Sequence, residues 1–163
     1  MSIASEAPDT TPDKTPGETT GERAARAARR WIGTPYRHQA SCRGAGCDCL
    51  GPVRGIWRDI LGHEPEVPPP YSMDWSEPSR DEVLWRAATR HLVARPLDSE
   101  APGDVLLFRM REGAVAKHLG IAGHVGEAAS FIHAYSDHAV LESPLTPPWR
   151  ARIVARFSFP QEV

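Results

Sequence analysis

The amino-acid sequence predicts an α+β fold, with helices in the first half of the chain and a meandering antiparallel β-sheet in the second. Apolar residues recur at helical spacing before residue 100, and after Pro102-Gly103 the pattern changes to short extended runs separated by tight turns. Helices followed by strands, instead of the two in alternation, are typical of α+β domains. The 163 residues suffice for one domain with a substantial core, which we expect to span residues 21–163.

Composition and charge exclude several classes of protein. The formal net charge of -2 provides no general attraction for nucleic acid. The sequence has no run of roughly 18 apolar residues, so no membrane span is expected, and no secretory signal pattern is visible at the N-terminus. Residues 1–20 are rich in Pro, Thr, Ser and acidic residues, which predicts a disordered tail before the domain.

Three helices are predicted before the sheet. The first runs from about Gly21 to Trp31 and ends at residues 33–35, where a glycine and a proline interrupt the pattern. The third follows a Pro-rich segment and opens with a capping box, in which Ser79 is the N-cap and Glu82 the third helical residue.

The second predicted helix lies in the stretch 46–57 and contains the candidate nucleophile. Apolar residues recur at helical spacing from Leu50 onward, and Pro52 fits only a first turn, where its missing N–H costs no hydrogen bond. The helix is therefore expected to begin near Asp48 or Cys49. A cysteine at a helix N-terminus faces free N–H groups and the positive end of the dipole, which favours the thiolate. The alternative is that Cys49 is a small buried apolar residue.

Five extended runs predict the strands, and two of them contain a histidine among apolar or small residues. The runs are Val105–Phe108, His118–Ala122, Phe131–Ala134, Ala139–Leu141 and Arg152–Phe157. Because side chains alternate along a strand, His118 and His133 can share one face of the sheet if their strands are neighbours. The Cys49 helix, packed on that face, would complete a Cys–His–His triad. Taken singly, each histidine also suits a structural role.

Five motifs resemble, in their order along the chain, those of the NlpC-type papain-like cell-wall peptidases. They are Gly33–Tyr36, Asp48–Gly51, Pro102–Val105, His118–Ile121 and Phe131–Ala134. The resemblance covers roughly residues 24–159, and the short chain is most similar to the small peptidases of phage tails and phage-like gene transfer agents. It implies a papain-like fold, in which a helix carrying the nucleophile packs against an antiparallel sheet carrying the base.

The resemblance also implies a role for each site residue. Cys49 matches the nucleophile, His118 the base, and His133 the polar residue that orients the base. Tyr36 matches a tyrosine whose hydroxyl lies near the nucleophile, where a phenol donor would stabilise the oxyanion of a tetrahedral intermediate. Asp48 matches an aspartate near the amine end of the substrate. For Tyr36 the alternative is a packed aromatic residue at a helix-terminating turn.

The sequence departs from the family pattern at Leu50. The family usually has a serine there, which together with the aspartate helps to receive the free amino end of a stem peptide. A leucine side chain has no hydrogen-bonding group. Specificity for uncapped peptides is therefore in doubt, whereas the cysteine chemistry is not affected.

The three cysteines lie close together and allow other interpretations. Cys42, Cys47 and Cys49 could hold zinc or an iron–sulfur cluster with His38 as a fourth ligand, although the spacing lacks the usual Cys-x2-Cys step. Cys42 and Cys47 could instead form a disulfide outside the cytoplasm, or remain inert thiols. The favoured interpretation has neither a metal nor another cofactor.

Taken together, these features predict a cysteine endopeptidase that hydrolyses amide bonds in the stem peptides of peptidoglycan. The alternatives are a structural tail subunit with little activity, and a papain-like amidase or acyltransferase acting on another substrate. Because peptidoglycan lies outside the cytoplasm, we expect the protein to be assembled in the cytoplasm into a phage-like tail. It would then act in the periplasm or cell wall of the target cell and open the wall for DNA delivery. The N-terminal tail and the segment around residues 68–70 would contact neighbouring tail proteins.

Overall fold

The computed structural model describes residues 15–72 and 80–161. It confirms the α+β class, because most helices precede an antiparallel sheet. The elements are α1 (Thr20–Arg29), β1 (Ser41–Cys42), β2 (Gly46–Cys47), α2 (Gly51–Leu61), α3 (Val83–His91), β3 (Val93–Arg95), β4 (Val105–Phe108), β5 (His118–Ala122), β6 (Ser130–Tyr135), β7 (His138–Pro144), α4 (Pro147–Arg150) and β8 (Ile153–Ser158).

The main sheet has six strands in the order β3-β8-β4-β5-β6-β7, and every neighbouring pair is antiparallel. Strands β4 to β7 form a meander, as the short apolar runs separated by tight turns predict. The last strand, β8, then returns to lie between β3 and β4. The short β1–β2 hairpin, β3 and α4 were not predicted, because two- to four-residue elements are too short to produce a periodic pattern.

Helix α1 begins one residue before the predicted start and packs closely against α2. Thr19 and Glu22 form a capping box, with both reciprocal hydrogen bonds at 3.0 Å. The indole of Trp31, just beyond the helix, lies against Gly55 of α2, where an added Cβ would come within 2.0 Å of the ring. Only a glycine permits this approach, so Gly55 sets the position of α2 and of the turn before it.

Helix α2 begins at Gly51, two to three residues later than predicted. The carboxylate of Asp48 accepts hydrogen bonds from the N–H groups of Leu50 and Gly51, at 3.1 and 3.0 Å, and so caps the helix. Cys49 consequently lies in the turn before the helix and is not its first residue. The prediction of a helix start at Asp48 or Cys49 was wrong because the capping function of the aspartate was not recognised.

Helix α3 begins at Val83, and the predicted start immediately after Ser79 was wrong. Ser79 itself lies outside the described residues. Arg80 has a φ of 57°, in the left-handed region that a right-handed helix excludes. The Glu82 side chain instead accepts the N–H of Ala116 at 2.9 Å and pairs with Arg109 at 3.1 Å, so it ties the start of α3 to the connection between β4 and β5.

Two apolar clusters lie on opposite faces of the sheet. The larger one joins the helices to one face through residues such as Ile56, Leu119 and Ile121, and the smaller one surrounds Phe108 and Phe131 on the other face. This division follows from side-chain alternation along β4, β5 and β6. None of the helices in the described parts of the chain is long and apolar enough to cross a membrane.

Candidate active site

His118 and His133 form a directly hydrogen-bonded pair of imidazoles. Nε2 of His118 lies 2.9 Å from Nδ1 of His133, and the two residues are 7% and 4% exposed. Pairing between β5 and β6 covers Ile121 with Ile132 and the next residue pair only. The part of β5 that contains His118 is therefore joined to β6 by the two side chains and not by a backbone ladder.

The face of the sheet on which the imidazoles lie is not the face covered by α2. His118 and His133 contact Phe108 and Phe131, whereas the helix packs in the cluster of Leu119. The expectation that the Cys49 helix packs on the histidine face was therefore wrong. An amphipathic helix needs an apolar surface, and the alternate residues of β5 provide it on the other side.

Ser143 extends the histidine pair into a chain of three polar side chains. Its Oγ lies 3.0 Å from Nε2 of His133, so both ring nitrogens of His133 are engaged. Ser143 is on β7, where it pairs with Phe131, two residues before His133 on β6. The sequence analysis missed Ser143, because this contact depends on the register between two strands and serine occurs in many surface positions.

Aromatic rings enclose the imidazoles and keep them neutral. The ring of Phe131 is tilted by 31° over His133 at a centroid distance of 4.1 Å, and Trp149 and Phe108 lie 5.8 and 5.5 Å from His118. Burial lowers the pKa of His118 to about 3, and the neighbouring His133 adds to this effect. Burial also lowers the pKa of His133 to about 4. Both rings are therefore uncharged at neutral pH, and each has one nitrogen that donates and one that accepts.

The thiol of Cys49 meets β5 at the residue beside His118. Its Sγ donates a hydrogen bond to the carbonyl oxygen of Lys117 at 3.6 Å, and the N–H of Leu119 donates toward the sulfur. The sulfur thus contacts the backbone on both sides of His118. In the described residues, the hydrogen bonds of the Cys49 sulfur go to backbone groups of Lys117, Leu119 and Cys49 itself and not to an imidazole nitrogen.

The environment of Cys49 favours the protonated thiol. Burial raises the pKa of the Cys49 thiol to about 12, and the negative charge of Asp48 raises it further. This direction is opposite to the predicted one. The helix N–H groups expected to stabilise a thiolate are already bonded to the Asp48 carboxylate, which also offsets the positive end of the dipole.

Tyr36 is half-buried near the candidate nucleophile and forms an isolated bridge with Cys47. Burial raises the pKa of its phenol to about 12, and electrostatic interactions with Cys49 and Asp48 add to the rise. The phenol therefore stays protonated at neutral pH and keeps a hydrogen-bond donor close to the sulfur. This is the property that the predicted oxyanion role requires.

Asp48 is 3% exposed, and both of its carboxylate oxygens have partners within the protein. One oxygen accepts from Leu50 and Gly51, and the other accepts from the N–H of Gln39 at 2.8 Å and from the hydroxyl of Tyr71. In this structure the carboxylate serves the fold, and a substrate amine would have to displace one of these donors. The sequence analysis missed Tyr71, because it lies 23 residues further along the chain.

Leu50 is half-buried at the N-cap of α2 and borders a cavity of about 510 Å³. The cavity lies between α2, α3 and the segment 64–72. The residues around it are mostly apolar, with charged side chains among them, and they include Leu50, Tyr71 and Leu119. Leu50 and Leu119 follow the candidate nucleophile and base in sequence, so this cavity adjoins the site.

The other two cysteines lie on the β1–β2 hairpin as free thiols. Cys42 is exposed, whereas Cys47 is completely buried in the larger apolar cluster. His38 is turned toward the Pro-rich segment, and its Nε2 lies 2.8 Å from the carbonyl oxygen of Tyr71. Within the described ranges, no three His, Cys, Asp or Glu side chains are grouped closely enough to hold a metal ion.

Comparisons with known proteins identify the fold. No protein-family model and no curated protein sequence matches the chain. Solved structures do match it: the NlpC/p60 domain of the peptidoglycan hydrolase SagA has a TM-score of 0.56 and 20% identity, over 83% of this chain and 96% of that domain. An NLP/P60-family protein similar to a lipoprotein, from Staphylococcus aureus, has a TM-score of 0.56 and 17% identity, over 92% of this chain and 44% of its own.

An NlpC protein from Trichomonas vaginalis has the same TM-score of 0.56 with 21% identity, over 90% of this chain and 46% of its own. The chain thus spans nearly all of the SagA domain but less than half of the other two proteins. These likenesses show that the chain has the NlpC/p60 fold, as the order of its motifs predicts.

Proposed function

We propose that this protein is a cysteine peptidase that hydrolyses amide bonds in the stem peptides of peptidoglycan. The observation that carries the proposal is the contact of the Cys49 thiol with the backbone of Lys117, directly beside a buried and hydrogen-bonded His118. A nucleophile, a base and an oriented third residue are the parts that covalent amide hydrolysis needs. The fold shared with the domain of a protein named as a peptidoglycan hydrolase supports this substrate class.

The resting site holds a neutral thiol and a neutral imidazole, not a preformed ion pair. The pKa of Cys49 is raised to about 12 and that of His118 lowered to about 3, so proton transfer between them is unfavourable without substrate. In the proposed mechanism, the thiol turns from the Lys117 carbonyl toward Nδ1 of His118, the nitrogen that His133 leaves available. The imidazole then takes the proton while the sulfur attacks the amide carbonyl.

Bond formation between sulfur and carbon places a negative charge on the former carbonyl oxygen. The N–H groups of Leu50 and Gly51 are held by Asp48, and the N–H of Cys49 lies against its own sulfur. The phenol of Tyr36 is therefore the proposed donor to this oxygen. His118 next gives its proton to the leaving nitrogen, and the C–N bond breaks to leave a thioester. Water activated by the same imidazole then hydrolyses the thioester and restores the thiol.

The contacts of Asp48 support a preference for stem peptides without a free amine. Its carboxylate is fully occupied, and Leu50 presents an apolar side chain beside it. A substrate amine would have to be stripped of water at a site where no acceptor is available, which is costly. We therefore propose that the enzyme accepts stem peptides that are still attached to glycan.

Purified sacculi provide the test of the proposed function. The protein is incubated with sacculi, and the released fragments are identified by mass spectrometry, with Cys49→Ala as the matched control. New amino and carboxyl ends within the stem peptide, absent with the variant, would support the proposal. Cleavage between glycan and peptide, or transfer of an acyl group to another amine, would indicate an amidase or an acyltransferase. No product from a folded protein would favour a structural tail subunit.

The place of action is also a proposal, namely the tip of a phage-like tail that opens the cell wall of a target cell for DNA delivery. The net charge of -2 provides no general attraction to anionic wall polymers, so another component would have to bring the enzyme to the wall. The exposed segment Val67–Pro70, in which Val67 is 74% exposed, is a candidate contact to neighbouring tail proteins. Copurification with tail-like particles tests this; recovery from the periplasm without particles would contradict it.

A further inference from the structure

We infer that Ser143 is a positioning residue, which selects the tautomer of His133 and through it the basic nitrogen of His118. The inference rests on the proposed function, since it assigns a role within the same site. It is carried by the continuous chain of hydrogen-bonding side chains, with His118 Nε2 at 2.9 Å from His133 Nδ1 and His133 Nε2 at 3.0 Å from Ser143 Oγ.

The tautomers of the two histidines are coupled, because each neutral ring has one donor and one acceptor nitrogen. If His133 donates from Nε2 to Ser143, its Nδ1 must accept, and His118 must donate from Nε2. The Nδ1 lone pair of His118 is then available to take the thiol proton. If Ser143 donates to Nε2 of His133 instead, His133 donates from Nδ1 to Nε2 of His118. His118 then has its proton on Nδ1, and that nitrogen cannot act as a base.

Packing restricts the orientation of the His133 ring, so the positions of the protons on the ring nitrogens are what can still vary. Phe131 lies over His133 at 4.1 Å, and Trp149 meets it edge-on at 5.3 Å and 76°, which holds the plane of the imidazole. Both rings are uncharged at neutral pH because burial lowers each pKa. Neither histidine can therefore satisfy both neighbours by becoming doubly protonated.

Ser143 is suited to the accepting role because it is only half-buried. Its own O–H can point to solvent while a lone pair of Oγ faces His133. Ser143 thus provides the acceptor at the solvent-facing end of the hydrogen-bonded side chains, and the proposed base, His118, is at the buried end. Replacing it with alanine removes that acceptor and makes the two tautomers of His133 more nearly equal in energy.

The test compares Ser143→Ala with Ser143→Thr, which keeps the hydroxyl, and with Ser136→Ala, which removes an exposed hydroxyl from the turn of the same hairpin. Each protein is labelled with ¹⁵N-histidine, and the imidazole nitrogen shifts of His118 and His133 report which nitrogen is protonated. Hydrolysis of a peptidoglycan fragment is measured in parallel. For Ser143→Ala we expect a changed tautomer pattern and a kcat lowered by roughly tenfold at unchanged KM, since a general base contributes about 10²- to 10⁴-fold.

We expect Ser143→Thr and Ser136→Ala to resemble the parent in both measurements. Parental nitrogen shifts and kcat in Ser143→Ala would overturn the inference, and so would an equal loss in Ser143→Ala and Ser143→Thr, which would indicate packing. The nitrogen shifts need no substrate, so they keep the two proposals apart. If the parent is inactive and Ser143→Ala still changes the tautomer pattern, the peptidase function is refuted and the role of Ser143 is supported. If the parent is active and Ser143→Ala changes neither the nitrogen shifts nor kcat, the peptidase function is supported and the role of Ser143 is refuted.

Discussion

The hydroxyl of Tyr71 donates a hydrogen bond to the carboxylate of Asp48, the residue immediately before the candidate nucleophile. Through this contact the Pro-rich segment is joined to the cap of α2 and to the turn that holds Cys49. Asp48 is buried, so its second oxygen depends on Tyr71 and Gln39 for hydrogen bonds. Under the proposed specificity, the same contact would close the carboxylate to a substrate amine, and it would link the stability of the turn to the selection of substrate.

Removing the Tyr71 hydroxyl is expected to destabilise the protein. Tyr71→Phe leaves a buried carboxylate oxygen with one fewer donor, which we expect to lower the free energy of unfolding by about 1–3 kcal/mol. Chemical denaturation measures the difference. Tyr135→Phe is the matched control, because Tyr135 is 38% exposed and its loss of a hydroxyl is expected to cost little. Equal stabilities of the two variants would contradict a supporting role for Tyr71.

The proposed specificity predicts that a polar group beside Asp48 would admit the free amine of a stem peptide. Leu50→Ser introduces a hydroxyl there and is expected to shift the relative kcat/KM toward free tetrapeptide over intact sacculi by about 1 kcal/mol, the scale of one neutral hydrogen bond. Combining it with Tyr71→Phe, which removes one of the two donors from an oxygen of Asp48, is expected to enlarge the shift. A strong preference of the parent for free tetrapeptide would refute the proposed specificity.

The cysteines are expected to differ in function and in reactivity. Cys49→Ala removes the nucleophile and is expected to abolish hydrolysis with the melting temperature retained, whereas Cys42→Ala is expected to keep most of the activity. In the free protein, iodoacetamide is expected to label exposed Cys42 first. The half-buried Cys49 reacts slowly, because its pKa is raised to about 12, and its rate rises with pH. Peptide mapping measures both rates; hydrolysis by Cys49→Ala would exclude it as the nucleophile.

The two histidines are expected to differ in the size of their contribution. His118→Ala removes the proposed base and is expected to be nearly as damaging as the loss of Cys49, since nucleophile and base act as a unit. His133→Ala removes an orienting group that does not itself move the proton, so kcat is expected to fall less. Steady-state hydrolysis of one peptidoglycan fragment by both variants measures the difference. Parental activity in His118→Ala would exclude it as the base.

Burial of the histidine pair is expected to make the protein less stable in mild acid. The ordinary pKa is 6.5, and in the folded protein it falls to about 3 for His118 and about 4 for His133. Below pH 6.5 the unfolded chain therefore binds more protons than the folded one, and the free energy of unfolding decreases as pH falls. Denaturation between pH 7 and about pH 5.5, where carboxylates of ordinary pKa stay mostly ionised, measures this slope. We expect His133→Gln to reduce it, and an unchanged slope would contradict the buried neutral state.

The lowered pKa of His118 is also expected to affect the pH dependence of catalysis, by giving a broad plateau of kcat/KM against pH. A base with a pKa near 3 stays unprotonated across the physiological range, so we expect activity to persist to about pH 5 without an acid limb near 6.5. An acid limb at the ordinary histidine pKa would show that the active base is exposed to solvent.

The sequence by itself determined the order and type of the main elements. The short apolar runs of β4 to β7, the helical spacing from Leu50 and the position of Pro52 are local signals, because they depend on residues a few positions apart. The motif order likewise predicted the NlpC/p60 fold that the solved structures share. Local signals failed at the boundaries, where Arg80 adopts a positive φ and Asp48 caps α2.

The tertiary structure alone decided the chemistry of the site. Whether a cysteine at a helix start becomes a thiolate depends on burial and on the occupants of the free N–H groups, and here Asp48 holds them. The partners of that aspartate, and of His133, come from Tyr71 and Ser143, which are distant in sequence. A pKa responds to every charge and dipole packed nearby, and these are brought together only when strand register and helix packing are set.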